Sequence, residues 1–321
     1  MQSKARSWIR VVQLEITRNC NLSCSFCRIR PDGHEMSSAQ LRLVLRALCE
    51  TPVTHVTLTG GEPTLCRSLV SATEFLLSRG RHVTIVSNGT ALPGHLRSLV
   101  LGGRASLAVS LHSHLSDVHD RLVGMPGSWG RVLQTLESLT GSRARVYMNS
   151  TAMKTNASEA FKFIEAFSRV EGIVQFNFNK FIARAPHDRR SLSSADIKNL
   201  LRTLDAAHRE FGVKVRIDAY PLCAVDKRFH YLIEPCAAGR SYMYIDVLGN
   251  VRPCVFSDRV LLNIISHPRA LPNLCYPTSS LASDLLSGRA PCKDCPDLSR
   301  CGAGCSYFRS SARRSPNRAR G

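Results

Sequence analysis

From residue 11 to about residue 218, short apolar runs alternate with stretches whose apolar positions recur at helical spacing. The runs VVQLEIT (11–17), HVTLTG (55–60), HVTIVS (82–87), SLAVSLH (106–112), RVYMNSTAM (145–153) and VQFNFNKF (174–181) read as strands. SSAQLRLVLRALCE (37–50) places its apolar residues on one helical face behind a serine cap. SLVSATEFLLSRG (68–80) ends in a glycine of the C-cap type, and SSADIKNLLRTLDAAHREFG (193–212) repeats both the start and the stop signal. Strands alternating with helices predict βαβ units around a parallel sheet. Six units without an internal repeat suit a partial or full β/α barrel, and an open doubly wound sheet is the alternative that periodicity leaves standing.

After residue 218 the texture changes. SYMYIDVLGNVRPC (241–254) reads as a hairpin around LGN, and residues 262–305 are loop-like, rich in proline, serine and cysteine. The pattern predicts a core over 1–219, a small second domain over 220–308 and a basic, disordered tail over 309–321. So small a unit with so little regular apolar pattern needs staples, and its eight cysteines supply them through metal.

Composition sharpens this in two respects. The 321 residues are 44% hydrophobic, yet no apolar run is long enough to span a membrane and the N-terminus lacks a signal-peptide pattern, so no membrane is expected and the cytoplasm is. Thirteen cysteines in a reducing compartment point to metal rather than disulfides. The formal charge of +19 suits nucleic acid or acidic partners. Arginine, however, is spread along the whole chain, only RSSARRSPNRARG (309–321) is a dense basic block, and thiolate-bound clusters would cancel part of the charge. Nucleic acid is therefore ranked below a solvated surface.

Cys20, Cys24 and Cys27 in CNLSCSFC follow the first strand directly. At the carboxyl end of a strand in a parallel β/α fold, residues build active sites. Three thiolates from one short loop can hold three irons of a cubane and leave the fourth open to substrate, and an open metal position is a catalytic signature. The alternative is three-quarters of a zinc site. TGGEP (59–63) ends the second strand, where Gly60 and Gly61 allow close backbone approach to a ligand and Glu62 can accept hydrogen bonds from an ammonium group.

The CxxxCxxC loop, with Phe26 before its last cysteine, and the GGEP turn together resemble the radical S-adenosylmethionine (SAM) superfamily over roughly residues 8–218. The resemblance implies a partial (β/α)6 barrel and a [4Fe–4S] cluster on Cys20, Cys24 and Cys27. Its open iron would chelate SAM, which is cleaved reductively to methionine and a 5′-deoxyadenosyl radical that takes hydrogen from substrate. It further implies Phe26 near the adenine and Gly60, Gly61, Glu62 and Pro63 at the methionine amino group. Asn88, Ser110, Arg121 and Asn149 follow as further SAM contacts, Arg121 as the cation for the SAM carboxylate. His112 stands where relatives place aspartate, and His112, His114 and His119 are read as surface or structural residues.

CKDCPDLSRCGAGC (292–305) alone could be a zinc ribbon. Preceded by Cys236, Gly249 and Cys254, it resembles the SPASM extension of radical SAM enzymes, which carries auxiliary [4Fe–4S] clusters. The resemblance assigns Cys236, Cys254 and Cys305 to a first auxiliary cluster, with Cys223 as candidate fourth ligand. Cys292, Cys295 and Cys301 go to a second, with Cys275 as candidate fourth because no cysteine follows Cys305. Val255 stands where some sulfatase-maturing relatives have an aspartate base, which argues against that activity.

The expected function is a radical SAM/SPASM enzyme acting on a peptide or a small natural-product intermediate by oxidation, epimerisation, decarboxylation or crosslinking. The positive charge mildly favours an acidic substrate. An electron donor such as flavodoxin or ferredoxin is implied, and, because the barrel starts by residue 11, so is a separate peptide-recognition protein or a substrate needing none. The alternatives are a nucleic-acid-modifying radical SAM enzyme and a non-enzymatic zinc-ribbon binding protein.

Overall fold

The computed structural model describes residues 9–29, 31–182, 188–275, 292, 295–305 and 307, so the basic tail lies outside the described residues. Six parallel strands form the frame: β1 (Val11–Thr17), β2 (His55–Gly60), β3 (His82–Ser87), β4 (Ser106–Ser110), β5 (Val146–Ala152) and β6 (Ile173–Lys180). Each contributes a side chain that is at most 1% exposed: Leu14, Leu58, Ile85, Leu107, Met148 and Phe176. These pack under the helices α1 (Ser38–Cys49), α2 (Leu69–Ser78), α3 (Gly94–Leu101), α4 (Ser116–Val123), α5 (Ser128–Glu137), α6 (Ala160–Phe167) and α7 (Ser194–Phe211). Burying each large apolar side chain stabilises the fold by about 1.5–3 kcal/mol.

The cap signals work as read at two helices. Ser37 accepts from Gln40 N–H while the Gln40 side chain returns to Ser37 N–H, and Ser193 and Asp196 close the same reciprocal box before α7. At α2 the serine makes no side-chain cap bond.

Strand alternation decides what faces inward. Along β5, Val146, Met148, Ser150 and Ala152 are buried beneath the helices, while Asn149 and Thr151, on the opposite face, line an interior cavity. That polar inner surface at the carboxyl ends of the strands is where chemistry can be placed.

The sheet runs on beyond the six strands, across the boundary expected near 220. β7 (Val215–Asp218) and β8 (Ile233–Glu234) extend it parallel past β6. On the other side β9 (Tyr242–Ile245) pairs parallel with β1, placing Tyr242 beside Val11. β10 (Asn250–Arg252) returns antiparallel on β9, completing the expected hairpin, and β11 (Leu262–Asn263) follows. The order is β11-β10-β9-β1-β2-β3-β4-β5-β6-β7-β8, one open sheet whose two edges do not pair among the described residues. Two short helices, α8 (Leu271–Cys275) and α9 (Leu298–Cys301), complete the described elements. Among the described residues no helix is long and apolar enough to cross a membrane.

Candidate active site

The loop carrying the first three cysteines is tied down from several sides. Gly61 N–H donates to Thr17 O and Glu62 N–H to Asn19 O, both at 2.8 Å, zipping the GGEP turn onto the backbone just before Cys20. A Cβ at Gly60 would lie 2.2 Å from Thr17 O, and one at Gly61 2.4 Å from Asn19 O. The close approach that demands these glycines is therefore to the cysteine loop itself. On the far side, Ser23 N–H and Ser25 N–H donate to Val123 O and Leu122 O at the end of α4.

Glu62 is the knot between strand ends. Its carboxylate is 1% exposed. Oε1 accepts from Thr64 N–H (3.1 Å), Thr64 O–H (2.7 Å) and Ser87 O–H (2.9 Å), and Oε2 from Asn88 N–H (2.6 Å). Burial raises its pKa against these four donors. Among the described residues Oε2 has one partner, which leaves a lone pair for an ammonium group. Asn88 carries the network back to the cysteine loop by donating to Asn21 Oδ1 at 2.7 Å, and Asn21 donates to Thr90 Oγ1 at 2.9 Å.

The thiols themselves are strained electrostatically. Burial raises the Cys20 pKa, helped by the Glu62 carboxylate and Cys27, and burial pushes Cys24 up to about 12, helped by Cys27 and Cys20. Crowded, half-buried thiols that oppose one another's ionisation suit a cationic metal group, which relieves the repulsion and takes them as thiolates. Among the described residues no three His, Cys, Asp or Glu side chains close around a single-ion position. The triad thus reads as a ligand set through its placement and mutual electrostatics.

Beside the triad, Phe26 packs in a small cluster with Leu122, Met153 and Phe181, its ring edge-on to His112 with centroids 4.7 Å apart. His112 is a structural acceptor. Its Nδ1 takes Thr151 N–H at 3.1 Å, and burial lowers its pKa to about 3. His119 accepts from His112 N–H at 3.2 Å, with its pKa lowered to about 4 by burial. Burial thus favours the uncharged imidazole in both.

A cavity of about 530 Å³ opens inside the sheet. Its lining includes Phe26, Cys27 and Arg28 of the cysteine loop together with Cys236, Cys254 and Cys305. Burial pushes the Cys254 thiol up to about 11, reinforced by Cys305 and Cys236, so these three sense one another as the first three do. The second group is held to the sheet: Cys305 N–H donates to Ala219 O at 2.9 Å, and a Cβ at Gly302 would lie 2.4 Å from Cys236 O.

A profile of the Radical SAM superfamily matches residues 14–166, which contain the triad, the GGEP turn and the strand ends that hold them. Residues 14–166 are a radical SAM superfamily domain. It is 27% identical over 270 residues to the sporulation killing factor maturation protein SkfB of Bacillus subtilis, covering 80% of this chain. It is 22% identical over 281 residues to the AdoMet-dependent heme synthase of Methanosarcina barkeri, covering 81% of this chain and 80% of that protein. The chain spans 63% of the length of SkfB. Among solved structures, Streptococcus suis SuiB matches 94% of this chain and 74% of its own at a TM-score of 0.74 and 17% identity. The structure of anSMEcpe with bound AdoMet and a peptide matches 94% of this chain and 90% of its own at 0.70 and 17%. These two likenesses run through the cysteine-rich region as well as the barrel and establish the fold.

Around this radical SAM domain the remaining expected positions separate. Gly60, Gly61, Glu62, Pro63 and Asn88 lie in the knot of strand ends, Ser110 ends β4, and Asn149 lines the cavity while accepting from Asn177 Nδ2 at 2.9 Å. Arg121 is not brought to the site. Its side chain is 74% exposed on α4 and paired with Asp117 at 2.8 Å. Cys275 is also apart: it is buried in the main core, its carbonyl accepting from Ile9 N–H at the opening end of β1, with its thiol near Thr51 and pushed up to about 12 by burial. Cys223 is exposed and lines a separate pocket with Lys198, Arg202 and Arg228. It follows Leu222, whose N–H donates to Cys301 Sγ at 3.3 Å. Cys292 is buried, and Cys295 N–H turns back onto its carbonyl at 3.2 Å. Cys66 is 4% exposed in the main core.

Several site residues were not read from the sequence. Asn21, Thr64 and Ser87 complete the Glu62 network, and the polar spacing inside CNLSC is the signal that could have singled out Asn21. Lys180 and Asp218 end β6 and β7 on the cavity wall. Asp218 lies deep in the protein yet keeps accessible surface because it faces the cavity, and burial raises its pKa while Lys180 lowers it. Tyr242 donates to Gln13 Oε1 at 2.6 Å across the same space. A lone charged residue at a strand's end gives no sign in sequence of which way it turns.

Proposed function

We propose that the chain is a peptide-modifying radical SAM enzyme, with SAM at Cys20, Cys24 and Cys27 and an auxiliary cluster at Cys236, Cys254 and Cys305. The observation that carries this is one cavity lined both by Cys27 of the first cysteine loop and by Cys236, Cys254 and Cys305, with polar and aromatic side chains in the same wall. The bound [4Fe–4S] cluster and SAM would supply a 5′-deoxyadenosyl radical that takes a hydrogen atom from substrate.

The chain's own residues do the rest. Gly60 and Gly61 let the turn press onto the loop and fix where Cys20 sits. Glu62 offers Oε2 to an ammonium group, and Asn88 holds that carboxylate in place. Phe26 gives an apolar face in the cavity wall for the adenine, and Ser110 and Asn149 give polar contacts from β4 and β5. Arg121 is left out because Asp117 and solvent already satisfy it. Cys236, Cys254 and Cys305 would hold the first auxiliary cluster and Cys292, Cys295 and Cys301 the second.

A peptide substrate is supported by SkfB, a killing factor maturation protein, and by the fold shared with SuiB, solved bound to its precursor peptide SuiA. A flavodoxin or ferredoxin would supply the electron, and a separate peptide-recognition protein could deliver the substrate. The cavity wall mixes Arg28 and Lys180 with Asp218 and Glu234, so the net charge of the chain is not concentrated where substrate would sit.

Dithionite and SAM added to anaerobically reconstituted protein should release 5′-deoxyadenosine, and Cys20→Ala, Cys24→Ala and Cys27→Ala should each stop it. Release at the wild-type rate by any of these variants would sink the reading.

A further inference from the structure

Arg190 lies in the segment between β6 and α7, far in sequence from the cysteine loop, yet its guanidinium reaches that loop. Nη1 donates to the carbonyl oxygen of Ser25, the residue between Cys24 and Phe26. Nε donates to Asp188 Oδ1 at 2.9 Å and Nη2 to Asp188 Oδ2 at 2.6 Å, a two-pronged pairing that fixes the plane of the group. That plane lies 4.9 Å from the centre of the Phe181 ring. Phe181 is both a wall of the cavity and a packing partner of Phe26. Arg190 O in turn accepts from Lys154 N–H at 3.0 Å, which anchors the arm just past the end of β5.

Every donor on this guanidinium that is aimed at the protein has a stated job. Asp188 sets its orientation, Phe181 sets its depth, and the remaining prong is spent on one carbonyl of the ligand loop. A surface ion pair alone would be worth little. Here the pair orients a donor onto a backbone that has no regular structure of its own. Arginine suits the task because its fork is rigid and always charged, whereas a lysine could reach the carbonyl or the carboxylate but not hold both in one plane.

We infer that Arg190 is a positioning residue for the cluster-binding loop, a latch that fixes the Cys24–Cys27 turn against the cavity wall. This rests on the reading of Cys20, Cys24 and Cys27 as cluster ligands. Phe181 is thus a contact shared by the cavity, Phe26 and Arg190.

Outer partners that orient metal ligands typically change metal retention by about 10–100-fold when removed. The test follows iron loss to a chelator and the EPR signal of the reduced SAM cluster, defined as the signal missing from a Cys20/Cys24/Cys27→Ala variant. In Arg190→Met, iron from that cluster should leave at least about tenfold faster, and its signal should weaken or change shape while the auxiliary signals stay. Asp188→Asn should move the same readouts in the same direction by less, and Arg190→Lys should restore them only in part. Iron release within about twofold of wild type in Arg190→Met, with an unchanged signal, would overturn the inference. Should that variant fail to fold, Arg190→Gln, which keeps a donor but loses charge and fork, decides by the same outcomes. Wild-type protein with no cluster on the triad would instead sink the functional reading beneath it.

Discussion

The loop holding Cys20, Cys24 and Cys27 hangs on a frame of long elements, while the segment holding Cys292 to Cys305 sits among short ones. The first is clasped by the ends of β1, β2, β3 and α4 and by the arm of Arg190. Around the second, β8 and β11 have two residues each, α8 five and α9 four. Contacts do reach it: Arg240 donates to Ser299 O at 2.6 Å, and Cys301 Sγ accepts from Leu222 N–H. Elements of that length bury little apolar surface of their own, although β9 and β10 beside them join the main core through Met243, Ile245 and Val251. The comparison teaches that the first cysteine group is held by the frame around it, whereas the second has less of a frame to hold it.

Removing metal should break the two regions unequally, and this is the largest effect expected. Chelation under reducing conditions should open the Cys292–Cys305 region to protease while a fragment containing β1 to β10 survives. Initial cleavage within the barrel would reverse the comparison.

Gly61→Ala comes next. Its Cβ would meet Asn19 O at 2.4 Å, so backbone must shift, at a cost of about 1–3 kcal/mol. A melting curve should register that loss, and the SAM-cluster EPR signal should drop while auxiliary signals persist. Equal damage to both would show that the first site is no more dependent on its frame than the second.

Acid should expose a smaller weakness on the barrel side. The folded pKa of His112 is lowered by burial to about 3, below the ordinary value of 6.5. The unfolded chain therefore binds the extra proton first. Stability is full above about pH 6.5 and falls as pH drops toward 3, by about 2 kcal/mol at pH 5 from this residue. Urea unfolding at pH 5 and pH 7 checks it. His112→Asn, which keeps an acceptor for Thr151 N–H, should be less stable at pH 7 but show a flatter pH dependence. An unchanged slope would remove His112 as its source.

Local patterns were legible and distant pairings were not. β1 to β6 lie where the apolar runs put them, and Ser37 and Ser193 cap as their spacing implies, because these depend on neighbours within a few residues. β9 is different. Its partner β1 lies more than 220 residues away, and nothing in YMYI says it will extend the barrel sheet rather than start another. The cysteine spacings marked out two groups, but only packing shows that Cys275 sits in the core beside Ile9 and Thr51. GGEP was read as a ligand cradle, and the structure adds why both glycines are needed: the neighbouring backbone occupies the space. Arg121 misled because position along the chain does not tell which face of α4 a side chain takes.

The central claim is that two kinds of metal site face one cavity, and iron counting on separated sites tests it most directly. Anaerobically reconstituted wild type should hold about twelve irons, four per cubane. A variant with Cys236→Ala, Cys254→Ala and Cys305→Ala should lose about four of them and still release 5′-deoxyadenosine from SAM under dithionite. Wild type holding only about four irons, or a triple variant that loses none, would contradict the account.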